Sequence, residues 1–151
     1  MLSALFWNIW GHRNPAGINK HIADAHTDIN CLTEVTDTWY DYDPMPLIHS
    51  SKDRGEPPSA INGRTQLLNT FKDQYHMIYS SPRYTTWECQ LKKETYKGIG
   101  FGSTLLYRHG LITIARDSIV ILLNDEKWRV LQYLVVEHEG RRYLIAHLHG
   151  V

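Results

Sequence analysis

The amino-acid sequence predicts an α/β domain in which helices cover a β-sheet. Residues 2–9 and 29–35 are apolar runs typical of strands, and residues 15–26 between them carry apolar side chains at helical spacing. Strand, helix and strand within about 35 residues form the βαβ pattern, or a related layered arrangement with a helix on a sheet. The length of 151 residues and an apolar content of 42% suit one domain with a real core, so residues 1–151 are assigned to a single domain.

The sequence predicts two helices with one apolar face each. Asn14 is suited to cap the first helix, and Pro15 follows at the first helical position, where its missing N–H is not needed. A second helix is predicted over residues 60–71. The apolar residues at helical spacing are Ile18, Ile22 and Ala25 in the first helix, and Leu67, Leu68 and Phe71 in the second.

The rest of the chain is predicted to form strands joined by surface loops. Loops are expected at residues 37–58, where prolines interrupt any periodic run, and at residues 83–97, which are polar and aromatic. Gly98, Gly100 and Gly102 lack the lysine and the following helix of a phosphate-binding loop, so we interpret them as allowing close backbone approach in a sheet. Strands are predicted at residues 75–79, 98–108 and 119–123, and in a hairpin of residues 129–136 and 141–149 that turns at Glu139-Gly140.

Composition limits the classes of function. The formal net charge is zero, so no strong overall attraction to nucleic acid or anionic membrane is expected. Cys31 and Cys89 show no disulfide framework, which favours reduced thiols and an intracellular setting. No signal peptide is visible and no stretch approaches the length of a membrane span, so a cytoplasmic protein is expected.

Three polar residues stand at the predicted ends of strands and are the candidate site residues: Asn8, Glu34 and His147. They are expected to converge on one end of one sheet, with Asn8 and Glu34 on neighbouring strands. Burying an unpaired carboxylate inside a strand has a free-energy cost of several kcal/mol or more. At a strand end, Glu34 can instead face a cleft and hold a cation. Each residue also has a structural interpretation. Glu34 can face water or an arginine, Asn8 can cap a turn, and a lone histidine in a strand is usually a hydrogen-bonded core or surface residue.

Four segments containing these residues resemble the first motifs of the endonuclease/exonuclease/phosphatase superfamily, which has the DNase I-like fold. The segments are Trp7-Asn8-Ile9, Leu32-Thr33-Glu34-Val35, residues 100–108 and Ala146-His147-Leu148-His149. Thr33 stands where that family commonly has glutamine, and Ala146 where it commonly has threonine. The family continues with Asp-x-Asn and Ser-Asp-His-like motifs, and this sequence stops at Val151 before either of them. The resemblance therefore implies the N-terminal part of a four-layer sandwich, of which this chain would supply roughly the first sheet and its helices.

The resemblance also implies a function, the metal-dependent hydrolysis of phosphodiester or phosphomonoester bonds. Glu34 would bind Mg²⁺, with Mn²⁺ as a possible substitute, and Asn8 would orient the metal site or the phosphate. His147 would hydrogen-bond a phosphate oxygen or share in proton transfer. The partner would be a phosphate-ester substrate, with nucleic acid as one candidate. The substrate class, the substrate-binding residues and the oligomeric state stay open at the level of sequence. The general base of the family lies in the later motifs, so these 151 residues alone are expected to be inactive. They are also expected to expose an apolar sheet face, because alternation places Leu144 and Leu148 opposite Tyr143 and Ile145.

Two other functions remain open at the level of sequence. A protein with this fold can lack activity and serve as an interaction module. His147-Leu148-His149 also resembles the start of the His-x-His-x-Asp motif of zinc-dependent metallo-β-lactamase-like hydrolases, and alternation places both imidazoles on one face. Residue 151 is Val151 where that motif has aspartate, and the zinc interpretation leaves Asn8 and Glu34 unexplained.

Overall fold

The computed structural model describes residues 1–11, 14–38, 47–48, 59–60, 62–82, 84–89, 94–124 and 127–149. Its helices are α1 (Pro15–Ala25) and α2 (Gly63–Phe71). Its strands are β1 (Ala4–Asn8), β2 (Ile29–Thr38), β3 (Leu47–Ile48), β4 (Ser59–Ala60), β5 (Tyr75–Ser80), β6 (Tyr84–Cys89), β7 (Glu94–Arg108), β8 (Ile112–Asn124), β9 (Lys127–His138) and β10 (Arg141–Leu148). In this part of the chain no helix is long and apolar enough to cross a membrane.

The first sheet has the strand order β1-β2-β7-β5, with β6 also paired to β7. β1 and β2 run parallel and are connected through α1, which confirms the strand, helix and strand predicted at the start of the chain. Asn14 caps α1 as predicted: its side-chain oxygen accepts a hydrogen bond from the Gly17 N–H at 3.1 Å. The helix ends at His26, which adopts a left-handed conformation with φ of 49°.

Both helices pack on one face of the first sheet. The buried residues of this layer are Ile18 and Ile22 of α1, Leu67 and Phe71 of α2, and Leu32, Val35 and Leu106 of the sheet, with Ile9 and Tyr75 beside them. Ile18, Ile22, Leu67 and Phe71 of the predicted apolar faces therefore contact the sheet, whereas Leu68 is 39% exposed and Ala25 is exposed as well. The buried faces exclude water from a continuous apolar layer, which is the main stabilising term for such a fold.

A second sheet, with the order β10-β9-β8, packs on the opposite face of the first. Ile29, Cys31, Leu105 and Tyr107 of the first sheet meet Leu134, Val136 and Ile145 of the second. The resemblance led us to expect one sheet with its helices, but this chain also supplies three strands of a second sheet, because the inward residues of the hairpin complete the apolar layer. Cys31 is a free, buried thiol, and its burial raises the pKa to about 12.

Several boundaries differ from the sequence prediction. The prediction of a surface loop over residues 83–97 is wrong for residues 84–89 and 94–97, which form β6 and the start of β7, while residues 83 and 90–93 lie outside the described part. Threonine, tyrosine and tryptophan, which recur in this segment, favour strands over loops. Residues 59–60 form β4 rather than the start of α2, and β2 continues to residue 38 into the predicted loop 37–58, of which residues 39–46 and 49–58 lie outside the described part. The predicted strand 119–123 is the end of the longer β8, whereas the hairpin of β9 and β10 turns at Glu139-Gly140 as predicted.

The outer face of the second sheet is apolar and exposed. Leu144 is 69% exposed, Leu148 47% and Ile119 50%. Leu148 and Ile119 lie on either side of Leu131 in the strand register, and Leu144 lies beside Val135. The prediction that Leu144 and Leu148 face away from Tyr143 and Ile145 is thus confirmed, but the exposed face belongs to the second sheet, not the first.

Candidate active site

Glu34 occupies a β-bulge in the middle of β2. Thr33 pairs with Ser103 of β7 and Val35 pairs with Gly102, so Glu34 has no partner across the ladder. Its backbone is left-handed with φ of 58°, which is uncommon for a residue other than glycine. The prediction that Glu34 ends the strand is therefore corrected, since β2 continues for four more residues to Thr38. The bulge provides what a strand end would have provided, because it turns the carboxylate out of a strand that is otherwise almost wholly buried.

Asn8 holds this carboxylate from the neighbouring strand. Its Nδ2 donates a hydrogen bond to Glu34 Oε1 at 3.0 Å, and its Oδ1 accepts one from the Trp10 N–H at 2.9 Å. The chain after β1 follows the bulge, with the Gly11 N–H donating to the Glu34 carbonyl at 3.0 Å. The predicted placement of Asn8 and Glu34 on neighbouring strands is confirmed. The group that Asn8 presents to the carboxylate is its N–H, so a direct contact of Asn8 with a metal would use the second lone pair of Oδ1.

The imidazole of His149, which follows β10, lies beside the Glu34 carboxylate. Its Nε2 lies 3.6 Å from Glu34 Oε1, and both side chains are about one third exposed, at 36% and 34%. From the sequence, His149 was a candidate only for the zinc site of the alternative interpretation. Strand alternation already placed it on the same face as His147, and that pattern could have identified it as a site residue.

His147 lies on the second sheet, inside the sandwich. It is 4% exposed, its Nδ1 is 3.3 Å from Gln132 Oε1, and its ring meets the edge of Phe6 at a centroid distance of 6.4 Å. Burial lowers its pKa to about 4, helped by the nearby His149. The prediction that His147 shares one sheet with Asn8 and Glu34 is wrong, because His147 lies on β10 of the second sheet. The alternation that predicted its face also places it inward, towards the first sheet.

A cavity of about 370 Å³ opens beside the bulge, where the two sheets meet. It is lined by Glu34 of β2, Phe101, Gly102 and Ser103 of β7, Arg129 and Val130 of β9, and by Pro82 and His149. Gly102 has to be glycine, because a Cβ there would overlap the backbone carbonyl of Ser80. The predicted close backbone approach of this glycine is thereby confirmed. Arg129, which no pattern in the sequence indicates as a site residue, lines the same cavity as Glu34.

The donor set suits a hard cation with few protein ligands. Mg²⁺ is commonly bound by one or two carboxylates together with waters and phosphate oxygens, and Glu34 supplies one such carboxylate. Within the described ranges, no group of three or more His, Cys, Asp or Glu side chains is placed to hold a metal ion. The Glu34 carboxylate is compatible with a Mg²⁺ site in which water and substrate oxygens would supply the remaining ligands.

Taken together, the fold and the site define an α/β sandwich with a carboxylate-bearing bulge at the junction of its sheets. The sequence matches no protein-family model and no curated protein. The fold is similar to that of TDP2 from Caenorhabditis elegans, with a TM-score of 0.59, 18% identity and coverage of 98% of this chain and 34% of that one. It is also similar to an endonuclease/exonuclease/phosphatase from Beutenbergia cavernae, with a TM-score of 0.63, 19% identity and coverage of 98% and 38%. A family member from Leptotrichia buccalis gives a TM-score of 0.62, 15% identity and coverage of 99% and 53%.

These similarities show the fold. The chain has the α/β architecture of the endonuclease/exonuclease/phosphatase structures, the DNase I-like fold, and it spans between one third and about half of their length. At identities below 20% the similarity does not transfer an activity, so function has to be argued from the site.

Proposed function

We propose that this chain carries part of the active site of a metal-dependent phosphoesterase, an enzyme that hydrolyses phosphodiester or phosphomonoester bonds. The complete enzyme would have the length of the structural neighbours. The observation that supports this most is the position of Glu34. A carboxylate on a strained, left-handed bulge, held by Asn8 and facing a cavity that also contains Arg129, is a costly arrangement with no evident role in the core. Strain of this kind concentrates at functional sites.

Glu34, Asn8 and Arg129 would each have a different role in binding a phosphoryl group. Glu34 would hold Mg²⁺, which when bound supplies neutralisation of phosphoryl charge and activation of water. Asn8 keeps the carboxylate in place through its N–H. Arg129 would contact phosphate oxygens from the cavity wall, since a guanidinium suits phosphate geometry.

The first experiment measures metal binding by this chain, without relying on turnover. Paramagnetic Mn²⁺ added to the ¹⁵N-labelled chain should broaden the amide signals around Asn8, Glu34 and His149, and Glu34→Gln should abolish the effect. Glu137→Gln is the matched control, because that carboxylate lies on β9 and pairs with Arg142 at 3.7 Å. Broadening that is equally strong in Glu34→Gln would refute the assignment of Glu34.

The second experiment measures hydrolysis by a protein of the neighbours' length that contains this chain. Mg²⁺-dependent cleavage of a generic phosphodiester and a phosphomonoester should be lost in Glu34→Gln, while the fold is kept. Arg129→Gln should reduce kcat/KM by about 10-fold or more, the loss expected for a charge-assisted hydrogen bond of about 1.5–3 kcal/mol. Arg141→Gln, which changes an exposed arginine of β10, should leave the rate unchanged.

Activity within a few-fold of the parent in Glu34→Gln would overturn the proposal. Metal binding without hydrolysis of either substrate would favour the alternative of an inactive interaction module with this fold. Loss of metal binding on replacing His147 and His149, but not on replacing Glu34, would favour the zinc-hydrolase alternative. Comparison of the two substrates, and of single-stranded and duplex DNA, would then narrow the substrate class.

A further inference from the structure

Gln132 joins the two sheets through a buried side chain. It is 0% exposed on the inner face of β9. Its Nε2 donates a hydrogen bond to the Ser103 carbonyl of β7 at 3.0 Å and another to the Ile78 carbonyl of β5 at 3.2 Å. Since a buried amide has to satisfy its polar atoms, these contacts account for both of its N–H groups.

The two acceptors determine which way the amide points. Backbone carbonyls accept hydrogen bonds and cannot donate them, so the nitrogen of Gln132 has to face Ser103 and Ile78. The oxygen is thereby directed to the other side, where it lies 3.3 Å from His147 Nδ1. The usual ambiguity between the oxygen and nitrogen of a glutamine side chain is removed by chemistry.

This orientation determines the tautomer of His147. Gln132 Oε1 only accepts, so its contact with Nδ1 requires a proton on Nδ1. We propose that Gln132 is a positioning residue that holds His147 as the Nδ1–H tautomer and leaves Nε2 as a hydrogen-bond acceptor. Because burial keeps the ring neutral at pH 7, it carries this one proton only.

The consequence for the site rests on the proposed function. A neutral Nε2 without a proton cannot donate to a phosphate oxygen, but it can accept a hydrogen bond from a water molecule or a hydroxyl group. The two roles expected for His147 were a hydrogen bond to a phosphate oxygen and a share in proton transfer. The tautomer favours the second, in which Nε2 accepts a hydrogen bond or a proton. Ser103 connects this arrangement to the cavity, since its carbonyl is held by Gln132 while the residue lines the wall beside Glu34.

The test reads the tautomer directly. The chain is labelled with ¹⁵N-histidine, and long-range ¹H–¹⁵N correlation at neutral pH, or solid-state NMR if the sample associates, shows which ring nitrogen carries the proton. His147→Asn identifies the His147 signals among the nine histidines. We expect a protonated Nδ1 and an unprotonated Nε2. A proton on Nε2 in the unmodified chain would overturn the proposal, whatever the variants do.

A substitution tests whether Gln132 is the cause. Gln132→Met removes the amide at similar volume, and His147 should then lose its restriction to Nδ1–H. Gln74→Met is the matched control, since Gln74 is exposed, and it should leave the tautomer unchanged. A folded Gln132→Met chain with His147 still purely Nδ1–H would show that Gln132 does not set the tautomer. The readout needs neither metal nor turnover, so failure of the proposed function would leave this result unaffected, and the reverse also holds.

Discussion

The left-handed backbone of Glu34 predicts an inverted order of stability for two substitutions. At an ordinary strand position, glycine is less stable than alanine by about 0.5–1 kcal/mol, because glycine loses more conformational freedom on folding. At φ of 58° a Cβ conflicts with its own backbone, which costs roughly 1–2 kcal/mol. The balance favours glycine by about 1 kcal/mol, so Glu34→Gly should be more stable than Glu34→Ala.

The comparison isolates the backbone because both variants lose the same interactions. Each removes the carboxylate and its hydrogen bond from Asn8, so the difference between them reports the conformation at residue 34. Urea denaturation measures it as a higher midpoint for Glu34→Gly at an unchanged m-value. Ala146→Gly is the control, since Ala146 is exposed on β10 and has no positive φ. That control should destabilise the protein by about 0.5–1 kcal/mol.

The reasoning fails if Glu34→Ala is as stable as Glu34→Gly or more stable. Residue 34 would then lie in ordinary strand geometry, its side chain would follow the alternation of β2, and the argument from strain to function would lose its basis. If the proposed function is right, both variants lack activity, so a stability gain in Glu34→Gly would come together with loss of function.

Three further predictions concern packing, pH and association. Gly102→Ala should destabilise the fold by about 1–3 kcal/mol through overpacking against a backbone carbonyl, whereas Gly110→Ala, with open space around it, should be close to neutral in the same urea titration. The pKa of His147 is lowered from 6.5 to about 4, so the unfolded chain binds more protons between these values and stability should fall as the pH drops from about 6.5 to about 4. The free energy of unfolding should fall by about 3 kcal/mol over this pH range. If the free energy of unfolding of His147→Gln falls equally steeply with decreasing pH, His147 is not the cause. Leu144→Lys should reduce self-association in light scattering by placing a charge on the apolar outer face, while Leu68→Lys on α2 should have less effect; equal effects would assign association to another surface.

Local pattern was sufficient for most of the fold. Asn14 and Pro15 marked the start of α1, and alternation in the last strand separated the buried Ile145 and His147 from the exposed Leu144. These signals depend on neighbours within a few residues, and the physics that they report is local. The loop prediction over residues 83–97 failed where aromatic and polar residues mask a strand.

The bulge could not be predicted, because it is a property of two strands rather than one. It arises where the pairing of β2 with β7 shifts between Thr33 and Val35, and nothing within β2 alone specifies that shift. The same holds for Arg129, whose place in the cavity depends on how the second sheet packs on the first. Gln132, in contrast, is indicated by the sequence pattern of β9. It is a polar residue between the inward apolar residues Val130, Leu134 and Val136, and a polar side chain on a buried face needs a partner.

His147 and His149 show how two residues of one type, two positions apart on one strand face, come to differ in chemistry. His147 lies within β10, where the sandwich buries it and Gln132 engages Nδ1. His149 lies just past the end of β10, where its side chain is 36% exposed and comes within 3.6 Å of the Glu34 carboxylate. The end of the strand therefore separates a neutral, oriented imidazole from one that can meet solvent and anion.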